Sequence, residues 1–377
     1  MIYLDHAATT PPSPEAIRAF LAEAELGANP SSMHRAGFDA HTRLEEYRRT
    51  VAESVCAESE EITFTSGGTE SANIALFGAA RAKARRGTKI LTSDAEHPCV
   101  SETLKALEGE GFTVVKIPTR GGVLDPEKLQ KEADETVVLA AFMLVNNETG
   151  AIFDVSRAFS HIHKTSPHAL CFCDCVQAFG KVPINVKTLG ADLLSLSAHK
   201  IHALRGVGAL YVRRGVRILS PVFGGGQEKG LRSGTENSPA IAAFAASAKS
   251  ITENLEASCA RLSSLKAHLE ERLNAMDGVT TLSGYQASPH IVSASFDGYK
   301  SEVLLHLLSD AGVCVSAGSA CSSKTGAKSP VLLAHGLSPE KADSTLRFSL
   351  SDTTTKEDLD AALLAVSSIL QKGRFRK

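Results

Sequence analysis

The chain has 377 residues, 43% of them hydrophobic, and 40 basic against 42 acidic side chains leave a formal net charge of −2. This length and hydrophobic fraction predict a large buried core divided among two or three domains. The near-neutral balance excludes an overall basic field, so we expect a small-molecule partner and no direct binding to nucleic acid or to a membrane.

Targeting signals and cysteine content indicate the cellular compartment of the protein. The longest apolar run, residues 137–145, is too short to span a bilayer, and residues 1–6 lack the basic-then-apolar pattern of a secretion signal. Eight cysteines in a chain of this length are too few for a disulfide scaffold. We therefore expect a cytoplasmic protein with reduced thiols, at least one of which is kept for its reactivity.

The first quarter of the chain combines an arm, three helices, a short strand and a glycine turn. Prolines at 11 and 12 favour an extended arm over residues 1–14, and the Ser13-Pro14 pair predicts the start of a helix. An amphipathic helix is predicted over 35–55. A short strand at 62–65 then leads through a glycine turn into a helical run over 72–84. A strand, a glycine turn and a helix start together aim backbone N–H groups at an anion.

Short apolar strands then alternate with helical segments such as 100–110 and 156–164. The strands are predicted at 62–65, 89–92, 113–116, 136–144, 169–173, 193–196 and 209–212. This alternation predicts an α/β fold with a mainly parallel sheet flanked by helices. Sites in such sheets lie at the carboxyl ends of the strands, and that is where Thr69, His97, Asn147, Asp174 and Lys200 are expected.

The last third of the chain changes in character. Apolar residues recur every three or four positions from 238 to 276, which predicts long amphipathic helices. The later elements predict a smaller α+β domain: strands at 279–282, 291–296, 313–316 and 345–350, and helices at 301–310 and 356–370. We place the large domain at 15–255 and the small domain at 256–377, with the arm of residues 1–14 joining the small domain.

Lys200 is the candidate around which a site can be built. With an unperturbed pKa near 10.4, only about one lysine in a few thousand is a free amine at pH 7, so a nucleophilic lysine needs help. The usual help is pyridoxal phosphate, an aldehyde that traps the lysine as a Schiff base. This cofactor requires a phosphate cradle, for which Gly68 and Thr69 offer donors, and an acid at the pyridine nitrogen, for which Asp174 follows a strand. His97 could stack on the ring.

Four further polar residues could complete such a site. Ser197 and His199 could add donors to the phosphate cradle, while Gln177 and Asn147 are neutral hydrogen bonders suited to the ring hydroxyl. Each of these residues, taken singly, also has an ordinary structural explanation as a cap, a turn or a core residue.

Eight short motifs occur in order along the chain. They are SGGTESAN at 66–73, AEHP at 95–98, VNNETG at 145–150, DCVQ at 174–177, SAHK at 197–200, RSGT at 232–235, GSAC at 318–321 and LRFS at 346–349. In this order and spacing, and from Tyr3 onward, the chain resembles the cysteine desulfurases, which are pyridoxal-phosphate enzymes of fold type I in the class V aminotransferase group. The resemblance implies that the chain converts L-cysteine to L-alanine.

The same resemblance implies a role for each motif residue. Lys200 would bind the cofactor and act as acid and base, His97 would stack on the ring, and Arg347 would pair bidentately with the substrate carboxylate, assisted by Asn147 and Asn29. The other implied cofactor contacts are Gly68, Thr69, Asn147, Asp174, Gln177, Ser197 and His199, and Thr235 would reach the phosphate of the neighbouring subunit in a homodimer.

Cys321 would be the nucleophile that takes the sulfur as a persulfide. Its surroundings, residues 316–329, are small, polar and contain glycine, which predicts a mobile loop able to carry a thiol to an acceptor. At pH 7 a few per cent of an unperturbed thiol is already the nucleophilic thiolate. The resemblance implies a sulfur-acceptor protein, for example in iron–sulfur cluster assembly or tRNA thiolation. It implies no residue that binds a resident metal ion, although the persulfide of Cys321 could deliver its sulfur to an iron–sulfur cluster.

Two features depart from the family pattern, and they leave alternatives open. The segment after Lys200 is Ile-His-Ala-Leu-Arg where the family usually has a glycine-proline-lysine run. Cys171, Cys173 and Cys175 alternate along a predicted strand, so their sulfurs could converge in a metal-binding or redox protein, although metal sites favour wider spacing. Nearer alternatives are a selenocysteine lyase or another class V pyridoxal-phosphate enzyme.

Overall fold

The computed structural model describes residues 1–282, 286–318 and 328–374. Its helices are α1 Pro14–Leu26, α2 Arg35–Glu53, α3 Gly68–Lys83, α4 Pro98–Gly109, α5 Pro126–Glu132, α6 Val155–Thr165, α7 Val186–Leu189, α8 Ser238–Asn274, α9 Ser301–Asp310, α10 Pro330–His335, α11 Pro339–Asp343 and α12 Lys356–Arg374. Its strands are β1 Ile2–Tyr3, β2 Ile62–Thr65, β3 Lys89–Ser93, β4 Thr113–Ile117, β5 Val137–Met143, β6 Leu170–Asp174, β7 Leu193–Ser197, β8 Gly208–Val212, β9 Val279–Thr281, β10 Ile291–Phe296, β11 Val313–Cys314 and β12 Thr345–Ser349.

The large sheet has seven strands in the order β2-β8-β7-β6-β5-β3-β4. Strands β4, β3, β5, β6 and β7 pair in parallel, and only β8 runs antiparallel to both of its neighbours. The predicted mainly parallel α/β sheet is therefore confirmed, and each of its seven predicted strands agrees with its observed bounds to within one residue. The carboxyl ends of β2, β3, β5, β6 and β7 consequently share one edge of the sheet.

Helices cover both faces of this sheet. Every residue of β5 is buried, and its alternate side chains enter different cores: Ala140 and Phe142 face one cluster, while Leu139 and Ala141 face the other. Helices α2, α6 and α8 contribute to the first cluster, and α3 and α4 contribute to the second. A strand buried on both faces needs apolar residues at every position, which explains its continuous apolar sequence.

A second cluster of elements forms around a small antiparallel sheet, β12-β10-β9. Helix α8 reaches both regions, because Ile241 and Phe244 pack in the core of the large sheet while Leu262 and Leu269 pack in the C-terminal core. The expectation of several helices between 238 and 276 was wrong, since α8 is one helix of 37 residues. The predicted domain boundary near 255 falls inside this helix, and the division into domains stays a prediction.

The N-terminal arm lies against the C-terminal elements. Ile2 pairs with Val313 in the parallel β1–β11 pair, and Leu4 is fully buried in the C-terminal core. Asp5 forms a bridge with Ser349 of β12, after which the chain passes to the edge of the large sheet that carries the strand ends. None of the helices in the described ranges combines the length and the apolar character required to cross a bilayer.

Candidate active site

A cavity of about 220 Å³ lies at the carboxyl ends of the parallel strands. Ten residues predicted from the sequence line it: Gly68, Thr69, His97, Asn147, Asp174, Gln177, Ser197, His199, Lys200 and Arg347. Six lining residues were not predicted: Ala7, Ala8, Cys99, Met143, Val145 and Val176. A larger groove of about 1060 Å³ at the amino-end edge of the sheet includes none of the ten predicted residues. The fold therefore brings these ten residues from distant motifs to one place.

The start of α3 forms one wall of the cavity. The helix begins at Gly68, four residues earlier than predicted, so Gly68 and Thr69 lie in its first turn rather than in a preceding loop. Gly67 precedes it with a φ of 152° and no side-chain cap, and a Cβ on Gly68 would lie 2.5 Å from a methyl carbon of Val176. An uncapped helix start with no side chain in front of it leaves backbone N–H groups available to an anion.

Lys200 ends a short 3₁₀ turn that follows β7. Its Nζ donates hydrogen bonds to the backbone carbonyls of Ala7 and Ala8 at 2.6 and 2.8 Å, so the N-terminal arm holds the amine at the cavity. Because the arm reaches Lys200 only through backbone oxygen atoms, no side-chain pattern in the sequence could have indicated this contact.

Asp174 is the last residue of β6 and is buried. Its Oδ1 accepts hydrogen bonds from the backbone N–H of Val176 at 3.0 Å and from the Ser195 hydroxyl at 3.1 Å. No hydrogen bond is made by its second oxygen within residues 1–282, 286–318 and 328–374. The carboxylate is thus held in one orientation with one oxygen available to a partner in the cavity.

His97 caps α4 and is held as a neutral ring. Its Nδ1 accepts a hydrogen bond from the backbone N–H of Cys99 at 3.1 Å and lies 3.0 Å from the Cys99 sulfur. Burial lowers the pKa of His97; the charge of Asp174 opposes this shift and that of Lys200 reinforces it. With Nδ1 accepting, the proton of the neutral ring is on Nε2, which leaves one ring face and one donor for a ligand.

His199 and Gln177 are both tied to the N-terminal arm. The His199 Nδ1 lies 3.1 Å from the Thr9 hydroxyl, and burial, helped by the charge of Lys200, lowers the pKa of His199 to about 4. The Gln177 amide donates to the Ala7 carbonyl at 2.8 Å. The His199 ring is therefore neutral at pH 7, and both side chains are held in one orientation by the arm.

Arg347 reaches the cavity from β12 and is buried. Its Nη1 donates to the backbone carbonyl of Asn147 at 2.6 Å, and its Nη2 pairs with the Asp5 carboxylate at 2.9 Å. The Arg347 Nε and the Asn147 Oδ1 are both buried without a hydrogen-bond partner in the described part of the chain. Both residues line the cavity, and unsatisfied buried polar atoms beside a cavity are typical of a site that takes a polar ligand.

Comparisons with known proteins agree with this geometry. The sequence profile of the family described as Aminotransferase class-V matches residues 2–362. The chain is 39% identical to "Cysteine desulfurase IscS" of Dictyoglomus turgidum, with 99% of this chain and 95% of that protein covered. The chain belongs to the class V aminotransferase family.

Solved structures of similar proteins have the same fold. A "NifS-like protein" is 34% identical to this chain and superposes with a TM-score of 0.92, covering 98% of this chain and 99% of that one. A second structure, described as SspA in complex with cysteine, is 29% identical, with a TM-score of 0.82 and 94% and 100% of the two chains covered. Within the class V family the chain belongs with the cysteine desulfurases, which depend on pyridoxal 5′-phosphate.

The residues of the cavity fit this cofactor of the class V family. An uncapped helix start suits its phosphate, an oriented carboxylate with one available oxygen suits its pyridine nitrogen, and a lysine amine suits its aldehyde. The orphaned Asn147 Oδ1 and the His97 ring face offer contacts for the rest of the ring. The roles assigned to individual residues remain predictions.

Three predicted residues lie elsewhere. Asn29 is exposed in the loop before α2, where its Oδ1 accepts from the Ser31 backbone N–H at 2.8 Å, and it does not line the cavity. Thr235 is exposed in the segment before α8 and does not line the cavity of its own chain. Cys321 and the central part of its predicted loop lie outside the described residues.

Cys171, Cys173 and Cys175 do not form the three-sulfur group of the metal-site alternative. Cys173 and Cys175 have their sulfurs 3.5 Å apart, whereas Cys171 lies with His163 and Asp192 in the only three-ligand cluster found among the described residues. The Asp192 carboxylate of that cluster is already paired with an arginine and a backbone N–H. Burial raises the pKa values of Cys171 and Cys173 well above the usual range, so neither is a ready thiolate.

The altered segment after Lys200 keeps an ordered turn. His202 takes the left-handed conformation, with a φ of 60°, while Ala203, which stands in the segment where the family has its glycine, does not have a positive φ. The Ala203 backbone N–H donates to the Ala198 carbonyl at 3.2 Å, and Arg205 reaches the Thr9 hydroxyl at 3.4 Å. The replacement is therefore accommodated without displacing Lys200 from the cavity.

Proposed function

We propose that this chain removes sulfur from L-cysteine, forming L-alanine and a persulfide on Cys321. One observation carries the proposal: Lys200, Asp174 and Arg347, which come from three distant motifs, line a single cavity. The names of the similar proteins support the substrate, since one is a cysteine desulfurase and another was solved in complex with cysteine. A cavity with an amine, a carboxylate and a guanidinium matches an amino-acid substrate bound beside a phosphorylated cofactor.

The cofactor would be held at both ends. The first turn of α3 with Gly68 and Thr69, together with Ser197 and His199, would bind its phosphate, and Asp174 would bind its pyridine nitrogen. Bound to Lys200, pyridoxal phosphate supplies an electron sink that makes the α-proton of an amino acid acidic. His97 would cover one ring face, and Gln177 and Asn147 would lie near the ring hydroxyl.

The chain's own groups would orient the substrate and move its proton. Arg347 would bind the substrate carboxylate through its remaining N–H groups, and Asn147 would assist by donating from its side-chain NH₂ group. Lys200 would take the α-proton at Nζ and return a proton to the product, since its amine already lies at the cavity. The neutral His97 would keep its Nε2 proton as a donor next to the reacting atoms.

Cys321 would complete the reaction as the sulfur acceptor. Its thiolate would attack the sulfur of the bound cysteine, so that an S–S bond forms on the enzyme while the substrate C–S bond breaks. The electron pair of that bond stays on the carbon skeleton, which takes up a proton and leaves as L-alanine. The terminal persulfide sulfur would then pass to an acceptor, such as a protein of iron–sulfur cluster assembly or of tRNA thiolation.

The assembly and compartment form part of the same proposal. Thr235 is exposed and lies away from its own cavity, which supports a homodimer in which it reaches the phosphate site of the partner. A cytoplasmic location is supported by the seven cysteines that are free among the described residues, including Cys173 and Cys175 at 3.5 Å.

A product analysis tests the proposal. The purified protein, reconstituted with pyridoxal phosphate, should convert L-cysteine to alanine in the presence of a thiol acceptor, and Cys321 should carry a persulfide detectable by mass spectrometry. Cys321→Ser should lose sulfur transfer and keep cofactor binding, whereas the control Cys314→Ser, at a half-buried cysteine of β11, should keep both. Full turnover by Cys321→Ser would contradict the assignment, and exclusive use of L-selenocysteine would favour a selenocysteine lyase.

A further inference from the structure

We propose that Asp5 is the resident counter-ion of Arg347 and that its carboxylate competes with the substrate carboxylate for the guanidinium. Asp5 would thereby lower the affinity of the site for its amino-acid substrate while it stabilises the substrate-free protein. This inference rests on the proposed function, because it takes Arg347 as the group that binds the substrate carboxylate. Asp5 acts through Arg347 and is a specificity-determining residue rather than a catalytic one.

The Arg347 guanidinium needs a negative partner when no substrate is bound. Its side chain is only 3% exposed, and the one salt bridge it makes among the described residues joins its Nη2 to the Asp5 Oδ1 at 2.9 Å. A second carboxylate, Glu148, lies near Arg347 but is held by the Ser329 hydroxyl at 2.5 Å, and burial raises the pKa of Glu148. Since an unpaired buried charge is strongly destabilising, Asp5 supplies the compensating charge.

The position of Asp5 is set by the backbone and does not depend on its side chain. Asp5 forms a parallel bridge with Ser349, which lies two residues beyond Arg347 on β12. The Asp5 carbonyl also accepts the backbone N–H of Ala8 at 3.0 Å, which closes a turn. The carboxylate therefore stays next to the guanidinium unless the whole arm moves.

The contacts of Arg347 leave room for a second carboxylate, but at an electrostatic cost. Its two terminal nitrogens each donate one hydrogen bond, to the Asn147 carbonyl and to Asp5. Each terminal nitrogen has two N–H groups and uses one of them, so each keeps a second N–H with which a further carboxylate could pair. Two carboxylates would then share one guanidinium charge and repel each other across a poorly solvated site.

The substitution Asp5→Asn separates competition from simple positioning. The amide keeps an oxygen that accepts from Nη2 but removes the charge, so the KM for L-cysteine should fall by about five- to tenfold while kcat changes less than about twofold. The KM for L-cysteine methyl ester, which has no carboxylate, should not change. A purely structural role for Asp5 would raise the KM for both substrates.

A matched control and a second variant complete the test. Glu23→Gln neutralises another mostly buried ion pair, Glu23 with Arg43 at 2.8 Å, and should leave both KM values unchanged. If Asp5→Asn does not fold, Asp5→Ser serves in the same assays. An unchanged or raised KM for L-cysteine in an active variant, or the failure of both variants to fold, overturns the proposal. Wild-type protein that is inactive on L-cysteine instead overturns the proposed function.

Discussion

Glu96 is a buried carboxylate whose ionisation is coupled to folding. It stands directly before His97, and its Oε1 accepts hydrogen bonds from the Ser93 hydroxyl at 2.6 Å and from the backbone N–H of Met143 at 3.0 Å. Its Oε2 is buried without a hydrogen-bond partner in the described residues. Burial outweighs the two hydrogen bonds, and together with the charge of Asp174 it raises the pKa of Glu96 to about 8.

The raised pKa makes stability fall as the pH rises. The native protein keeps the Glu96 proton up to a pH of about 8, whereas the unfolded chain releases it near its ordinary pKa of 4.5. Within that window each pH unit costs about 1.4 kcal/mol, so the free energy of unfolding should fall by about 3 kcal/mol between about pH 5 and about pH 8. Glu96→Gln keeps the acceptor oxygen but cannot ionise, and it should remove this part of the pH dependence.

Urea unfolding of the cofactor-free protein measures the effect. When the pH is raised from about 5 to about 8, Glu96→Gln should gain about 3 kcal/mol in the free energy of unfolding relative to the wild type. Glu53→Gln, which changes an exposed glutamate at the end of α2, should follow the wild type throughout. Parallel pH profiles for the wild type and Glu96→Gln would refute the reasoning, because they would mean that Glu96 ionises alike in both states.

Three further substitutions test other parts of the structure. The buried Lys181 amine has no hydrogen-bond partner in the described chain, so Lys181→Met should raise the free energy of unfolding at neutral pH by about 1–3 kcal/mol in urea titrations. Glu228→Gln disrupts a buried ion pair with Arg48 at 2.6 Å and should lower that free energy by about 3 kcal/mol. Gly68→Ala places a methyl group 2.5 Å from a neighbouring carbon and should weaken pyridoxal phosphate binding at least about tenfold in absorbance titrations, whereas Gly109→Ala, whose Cβ meets open space, should not.

The large sheet could be predicted because its central strands have apolar residues on both faces. Strand β5 is an uninterrupted apolar run, as expected for a strand covered by helices on each side. The short helices α10 and α11 were missed because five or six residues are too few to show a helical period, although each begins with a capping serine followed by proline. The single helix α8 has no glycine or proline from 240 to 274, and this absence favours one continuous helix.

The site could be predicted only as far as strand ends and motifs determine it. Asp174 and Lys200 line the cavity, as expected if parallel strands end at one edge of the sheet. The Asp5–Arg347 pair joins residues 342 positions apart, and such a contact depends on how two sheets meet rather than on any local pattern. Asn29 was expected to assist substrate binding, but its side chain forms a local turn with Ser31 and stays outside the cavity of its own chain.

The N-terminal arm explains how two separate sheets form one site. Asp5 pairs with Arg347 on β12 of the small sheet, and two residues later the Ala7 carbonyl accepts hydrogen bonds from Gln177 and Lys200 at the edge of the large sheet. The group proposed to bind the substrate carboxylate and the amine proposed to take its proton are therefore held by one stretch of backbone. Backbone hydrogen bonds hold the arm on both sides of this stretch, since the Leu4 carbonyl accepts from Ser349 and the Thr10 backbone N–H donates to His199. The arm therefore links the small sheet to the site through its backbone.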